Sequence, residues 1–565
     1  MPEYTGALGV ITEEDVAVPM RDGVVLRANV FRPDAPGHFP GLLTRTPYGK
    51  AKAGFDRYVR AGYAVVAQDT RGRYASEGEY VNFVAEHTGD AEDGYDSVEW
   101  LAEQPYCNGV VGTFGASYNA WMQWQLAKLR PPHLKAMCAY TIPVEVSGVD
   151  GVGGFRPGRR VKWWMTTIAP DLRRREGLPP PHTAEQARQI WDEIEQGRWL
   201  HFLPWTELPE YLPEQLAKYV REWFGDLGRR AWKFDEAWQE IEVPNLDFSG
   251  YFDHCNDTVR HLAGMQHNAR TQLAREQTKL IIGPYNHGGF GTRKFGDIDF
   301  GPQAQFDLQD LIIRWFDHWL KGLDNGVDRE PPVRYFVIGS GKWRSAATWP
   351  PEGMTETVYY LSSEGKAKPV EESGLLTLDE PGDEQPDEYT YDPRDPVPTL
   401  WTPALFTLPS DRRKLEYRPD ILYYRTPVLE EQVEIAGEPE VVLYASSSAP
   451  DTDFFARLVD EDPEGMALEV CYGMVRARYR NSPDTEELLR PGEVTEFRIK
   501  LGPTACCFRA GHRIRLEITS SDFPNHDRNH NTGRNDLEDP ELVAATQRVC
   551  HTAQHPSRLL LPCQP

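Results

Sequence analysis

Through its first third the chain alternates short apolar runs with polar, helix-forming stretches. Leu42–Arg45, Tyr63–Gln68 and Val110–Phe114 each lead into a polar loop, and Leu134–Tyr140 follows as a fourth run. Ala116 to Arg130 contains neither glycine nor proline until Pro131-Pro132 ends it, so a helix is predicted there. Short apolar strands separated by helices predict a parallel sheet covered on both faces.

The texture changes between Gly151 and Glu240. Trp163, Trp164, Trp191, Trp199, Trp205, Trp223, Trp232 and Trp238 fall there, half of the 16 tryptophans, among helix formers such as TAEQARQIWDEIEQ and PEQLAKYVREWF. That stretch reads as a helical insertion. Strand texture resumes at Asn245–Ser249 and Lys279–Ile282. Leu308, Leu311, Ile312, Trp315, Phe316 and Trp319 then share one face of a long amphipathic helix. Beyond Pro351 the helical period fades. The acidic, proline-containing stretch TLDEPGDEQPDEYTYDPRDPVP reads as a linker or surface excursion. The alternating runs Phe497–Leu501 and Ile514–Ile518 predict an antiparallel β-sandwich or jelly roll.

A chain of 565 residues is long enough for two or three domains, each with its own core. The formal net charge of −25 repels phosphate backbones and anionic lipid, so neither nucleic acid nor a membrane surface is an expected partner. No apolar run is long enough to span a bilayer, and the N-terminal stretch lacks the pattern of a secretory signal. The eight cysteines are scattered with no Cys-x-x-Cys pair, which fits buried thiols in a reducing compartment. A cytoplasmic location is therefore expected.

The strongest chemical signal is Val110-Val111-Gly112-Thr113-Phe114-Gly115-Ala116-Ser117-Tyr118-Asn119-Ala120. A strand enters Gly-x-Ser and a helix leaves it, the setting of a nucleophile elbow. The amide of Tyr118 at the helix start would face a developing oxyanion. Asn119 stands where a second glycine is usual, and the alternative for Ser117 is a helix cap. A serine nucleophile needs a histidine base and a carboxylate to orient it, in the chain order Ser, acid, His. His287, in IIGPYNHGGFG, leads the histidines, with His254, His267 and His318 as rivals. Asp253, in LDFSGYFDH, leads the acids, with Asp247 and Asp257 as rivals. The residue pattern leaves both choices open. HDRNHNTGRND near His526 fits no metal-ligand spacing and reads as a polar loop; the Asp69-Thr70-Arg71 turn reads as a structural salt-bridge loop.

Seven collinear segments then carry a family resemblance: RTPYGK, DTRGRYASEGEY, DGYDSVEWLAEQPYCNGVVGTFGASY, GYFDH, IIGPYNHGG, DTDFFARLVDEDPEG and RIRLEITSSDFPNHDRNHNTG. Together the chain resembles the cocaine esterase / X-prolyl dipeptidyl peptidase (CocE/NonD) family of serine hydrolases. The resemblance implies an α/β-hydrolase domain over 1–145 and 241–350, a helical cap over 146–240, and a C-terminal all-β jelly roll over 351–565. It implies Ser117 as nucleophile, His287 as base and Asp253 as acid. It also implies a Tyr48 hydroxyl beside the Tyr118 amide in the oxyanion hole; the plain alternative for Tyr48 is a packed loop aromatic. Trp163 and Trp164 are candidates for an apolar acyl pocket, though cap tryptophans also serve as core. Ala120 departs from the family's usual glycine, and Cys255 stands where some relatives have a pocket aromatic. No cofactor and no metal are expected. The implied reaction is hydrolysis of a small-molecule ester or amide through an acyl-enzyme, by an esterase first. The alternatives are an X-prolyl dipeptidyl peptidase, an amino-acid ester hydrolase or β-lactam acylase, and a binding protein on a retired hydrolase fold. The β-domain leaves room for a homo-oligomer interface.

Overall fold

The computed structural model describes residues 9–82, 88–142, 158–193, 235–255, 258–368, 374–400, 409–483 and 485–565, with a few isolated positions between 194 and 234. Trp199, Trp205, Trp223, Trp232 and Asp257 lie outside the described residues.

The apolar runs become the middle of one sheet. Its strands are β1 (Val10–Pro19), β2 (Val25–Pro33), β3 (Phe39–Thr46), β4 (Ala64–Asp69), β5 (Cys107–Ala116) and β6 (Leu134–Tyr140), in the order β1-β2-β4-β3-β5-β6. β7 (Leu246–Phe252), β8 (Lys279–Asn286), β9 (Val333–Val337) and β10 (Lys342–Ala346) continue it. The two runs of strands meet through a parallel bridge between Met137 and Asn245. The Asn245 side chain closes the seam, accepting from the Ala139 amide at 2.8 Å and donating to the Ala139 carbonyl at 3.0 Å. β3 to β9 pair in parallel as expected. The hairpin β1–β2 is antiparallel and was not anticipated. β1 carries Thr12-Glu13-Glu14-Asp15 toward solvent, and its register shifts between Glu13 and Val16 with Asp15 at φ 52°. A charged, bulged edge strand resists pairing with another chain, and the same charges hide it from an apolar-pattern reading.

Both faces of the sheet are covered. On one, α1 (Asp90–Ala102) and α2 (Tyr118–Ala127) bury Val98, Leu101, Ala120 and Trp124. On the other lies the amphipathic helix α3 (Leu308–Lys321). It buries Ile312, Trp315, Phe316 and Leu320, and the Trp315 indole donates to the Met137 carbonyl at 2.8 Å. Gly112 is required beneath this helix, because a Cβ there would stand 2.6 Å from the Phe316 ring. In the insertion, Gly158–Arg175 and Ala184–Glu193 are helical, with Trp164 fully buried.

The C-terminal part is β-rich, as its alternating runs predict. A 13-stranded sheet winds through it, antiparallel apart from one bridge between Leu375 and Arg425. Thr355–Ser362 pairs with the C-terminal strand Arg558–Cys563. One apolar core runs across from Tyr251, Phe252 and Ile282 of the first domain into Phe454, Leu458 and Ile514 of the second. β9 also runs on into the β-domain, where Ile338 exchanges backbone hydrogen bonds with Ala505 and Cys507 at 2.9 and 2.8 Å.

The acidic stretch expected to be a linker is corrected by the structure. Asp387–Tyr391 is a strand paired with Ala545–Cys550, with Asp387, Tyr389 and Tyr391 buried. Asp387 tolerates burial because Ser363, Tyr424 and the Ala367 amide donate to it at 2.8 Å and His551 lies at 3.0 Å. Burial alone would raise this carboxyl. The His551 contact and the three donors instead hold it below its ordinary 3.8. Burial likewise opposes charging His551, yet Asp387 and Glu384 lift it above 6.5.

The Asp387 contribution to stability is therefore present above pH 3.8 and lost as pH falls through the folded value. That of His551 is complete below pH 6.5 and lost as pH rises through its folded value. Asp387→Ala takes the buried acceptor from Ser363, Tyr424 and the Ala367 amide and leaves His551 only Glu384, at 2.8 Å. It is expected to cost about 3–5 kcal/mol, read as a lower denaturant midpoint for the β-domain; an unchanged midpoint would refute the network's role.

Candidate active site

β5 carries an apolar run into a sharp turn, and Ser117 sits at its tip with φ 58° and ψ −124°. This is a backbone region that non-glycine residues avoid, and such strain persists only where the surroundings impose it. They do so here: the Ser117 amide donates to the Tyr140 carbonyl at 3.1 Å, and its carbonyl accepts from Trp121 at 2.9 Å, starting α2. Gly115 precedes it at φ 147°, where a Cβ would meet the Asn119 Cβ at 2.8 Å. Asn119 thus occupies the space under the elbow, and Ala120 is buried within α2 in an ordinary helical place. Ser117 opens the helix but makes no side-chain cap bond. Tyr118 is the first residue of α2, where amides lack an intrahelical acceptor and the helix dipole is positive.

β7 and β8 end on the same edge of the sheet. Asp253 follows β7 and His287 follows β8, and the Asp253 Oδ1 stands 2.8 Å from His287 Nδ1. The Cys255 amide donates to the same Oδ1 at 2.8 Å, and the Thr141 hydroxyl donates to Oδ2 in a short hydrogen bond. Asp253 is buried, while His287 is partly open. With Nδ1–H turned to the carboxylate, Nε2 carries the lone pair of the ring and is the nitrogen that can take a proton.

The rival residues separate by position. His318 lies in α3 and bonds the Leu323 carbonyl at 3.0 Å; His267 lies exposed at the end of the helix Thr258–Asn268. His254 stays in the neighbourhood, its ring 4.2 Å from that of His287. Burial, together with Arg159, His287 and Arg160, pushes it well below the ordinary imidazole range. Asp247 is buried inside β7, accepting from the Thr258 hydroxyl at 2.6 Å and the Thr141 amide at 3.0 Å. Burial pushes its carboxyl up to about 8, against both hydrogen bonds and with the Asp253 charge adding to the rise.

Thr141 is the residue sequence reasoning missed. It follows β6 with φ 50°; its amide serves Asp247 and its hydroxyl serves Asp253. The available signal was positional, since it ends the strand next to the elbow strand, at the sheet edge where α/β sites gather.

Tyr48 stands in the loop after β3, its ring edge-on to Tyr118 at 6.4 Å and to Trp163 at 6.2 Å. Burial raises its phenol above 10, so the hydroxyl keeps its proton and remains a donor. The Tyr118 phenol points elsewhere, 3.4 Å from Asp90. Trp163 is half-buried against Arg160, whose guanidinium stacks 4.6 Å from the indole, and burial pushes that guanidinium down to about 9. Trp164 is wholly buried behind Trp163, and Cys255 is buried beside Asp253. The loop around His526 is buried rather than solvated: Asn529 donates to Asp451 and Asp453, and Asp527 meets Arg476 at 3.2 Å. The turn at Asp69 is bound as expected, with Lys50 on Asp69 at 2.9 Å and Arg71 on Asp93 at 2.6 Å.

A strained elbow serine and an Asp–His couple on one sheet edge are features of a hydrolase class, and the comparisons agree. Residues 22–289 match the X-Pro dipeptidyl-peptidase (S15 family) model, and residues 325–560 match the X-Pro dipeptidyl-peptidase C-terminal non-catalytic domain. The chain is 35% identical over 580 residues to the cocaine esterase of Rhodococcus sp. (strain MB1 Bresler), covering 97% of this chain and 98% of that one. An α-amino acid ester hydrolase superposes over 100% of this chain and 99% of its own, with a TM-score of 0.78 and 25% identity. An aminopeptidase from a marine sediment Thaumarchaeota archaeon shares the fold at a TM-score of 0.80 and 24% identity, over 100% and 99% of the two chains. This chain belongs to the cocaine esterase / X-prolyl dipeptidyl peptidase family of serine hydrolases. It is an enzyme, a serine hydrolase of ester or amide bonds. Among the described residues no helix is long and apolar enough to cross a membrane.

Because its folded value is raised, Asp247 holds a proton between pH 3.8 and about 8 that the unfolded chain has lost, so its contribution to stability falls as pH rises through that window. Asp247→Asn, a mimic of the neutral acid, is expected to gain on wild type between pH values near 5 and near 8. Denaturant midpoints at the two pH values measure this, and a pH-independent difference would refute it.

Proposed function

We propose that Ser117, His287 and Asp253 form the catalytic triad of a carboxylesterase, with the Tyr118 amide and the Tyr48 hydroxyl as its oxyanion hole. The observation that carries the reading is the strained Ser117 backbone at the β5–α2 turn, on the same sheet edge as the 2.8 Å Asp253–His287 contact. Strain at a serine that caps nothing is expected of a nucleophile, not of a structural residue.

Ser117 Oγ attacks the ester carbonyl while His287 Nε2 takes its proton. Asp253 holds the ring by Nδ1 and stabilises the imidazolium. Negative charge gathers on the former carbonyl oxygen, between the Tyr118 amide and the Tyr48 phenol. His287 then protonates the leaving alcohol, and a water activated by the same nitrogen releases the acid. Trp163, whose ring meets that of Tyr48, is the proposed lining of the acyl side; Trp164 stands behind it, and Cys255 beside Asp253. The parts are a hydrolase domain over 1–145 and 241–350, a cap over 146–240 and a β-domain over 351–565. The free, mostly buried thiols support a cytoplasmic setting. Amides with a free amino terminus are the second reading, favoured by the match of residues 22–289 to the S15 peptidase model.

Ser117→Ala is expected to lower kcat/KM for a short p-nitrophenyl ester by at least about 10³-fold with the circular dichroism spectrum unchanged. Retained turnover would sink the triad. Tyr48→Phe is expected to cost about 10²–10³-fold in kcat, the scale of one lost oxyanion donor. Alanyl-prolyl p-nitroanilide should be turned over poorly beside the ester, and the opposite ranking would make the enzyme a peptidase.

A further inference from the structure

Hydrolysis by a triad gives no task to His254 or to a thiol at position 255, yet both crowd the Asp–His couple. Asp253, His254, Cys255 and His287 each offer one ligand atom, and the four atoms lie within 4.8 Å of one another. His254 Nδ1 is 3.7 Å from Asp253 Oδ1, and that oxygen is 2.8 Å from His287 Nδ1. Bonds of about 2.0–2.3 Å to nitrogen, oxygen and sulfur around tetrahedral zinc put neighbouring ligand atoms about 3.3–3.8 Å apart. Side-chain adjustments of an ångström close the set. Asp253 and Cys255 form a buried floor, and the two imidazoles, each partly open, form the mouth. One thiol, two imidazoles and one carboxylate suit a soft or borderline ion and not magnesium or calcium.

We propose that Asp253, His254, Cys255 and His287 together bind a soft divalent cation, zinc above all, and that filling this site switches the hydrolase off by removing Asp253 and His287 from the triad. The switching half rests on the triad reading; the binding half does not. On binding, the Cys255 thiol gives its proton to solvent, and thiolate plus carboxylate balance the two positive charges. Arg159 and Arg160, both close enough to act electrostatically on Cys255, make that balance necessary. The proton that His287 Nδ1 donates to Asp253 shifts to Nε2 as the metal takes the Nδ1 lone pair and the Asp253 oxygen, and with Nε2 protonated Ser117 is left without a base.

Cobalt(II) titrated into the full-length Ser117→Ala protein reads binding without activity. The expected spectrum has the intense visible bands of tetrahedral cobalt and a near-ultraviolet thiolate charge-transfer band. Adding Cys255→Ser, which keeps the side-chain volume, should abolish the charge-transfer band and weaken binding at least about tenfold. Only the faint absorbance of octahedral cobalt, or a spectrum indifferent to Cys255→Ser, overturns the site and leaves the triad untouched. On the wild type, zinc chloride should inhibit ester turnover in step with its displacement of cobalt, with recovery on chelation. Cys255→Ser should raise the half-inhibiting concentration at least about tenfold relative to its own uninhibited rate. Full zinc occupancy with undiminished turnover overturns the switch, and with it the place of Asp253 and His287 in the triad.

Discussion

Ala139 and Asn245 are 106 residues apart in the chain, and the seam they close between β6 and β7 fixes everything downstream of it. A primary amide bonds both backbone groups of one residue across the gap, so register there admits no slip. Given that register, Tyr140 receives the Ser117 amide from one neighbour, and Thr141 reaches Asp247 and Asp253 on the other. A slip of one residue would turn Asn245 and Asp247 to the wrong face and separate the elbow from its acid. The insertion between the strands can therefore vary in its own packing without moving Ser117, Thr141 or Asp253.

The elbow was legible because strand, tight turn and helix each leave a mark in sequence, and the same residues carry them all. The acid and the histidine were ambiguous for a physical reason: a carboxylate after a strand looks alike whether it caps, pairs or catalyses. Tertiary placement separates Asp253 from Asp247, two acids six positions apart on one strand and its loop. Thr141 left no chemical mark at all, because a threonine at a strand end is ordinary until its neighbours are known. The strand at Asp387 was concealed by its own acidity. Its alternation of buried and exposed positions is regular, but one buried position is a carboxylate and the other two are tyrosines.

Asp387 is one case of a wider habit of the β-domain. Arg412, Glu517, Arg515, Glu469, Arg457 and Asp522 form a nearly dry set, with Arg412–Glu517 at 2.9 Å, Arg515–Glu517 at 2.6 Å and Arg457–Asp522 at 3.0 Å. Arg476 on Asp453 and Arg478 on Asp451 extend it toward the buried His526 loop. Such pairs add little over apolar packing, but each broken pair strands a charge. In a sheet of many strands with similar apolar alternation, that penalty falls on every wrong pairing.

The joint at Ile338 bears on how such proteins diversify. A strand that begins in one domain and ends hydrogen-bonded to Ala505 and Cys507 in the other is a splice, not a hinge. Domains strung on loose linkers can be shuffled between genes as finished goods. Here neither half possesses a complete boundary of its own, so a swap made at this point would have to carry matching backbone from both sides. Inheritance of the two halves is thereby tied together, and novelty is steered into the insertion between β6 and β7.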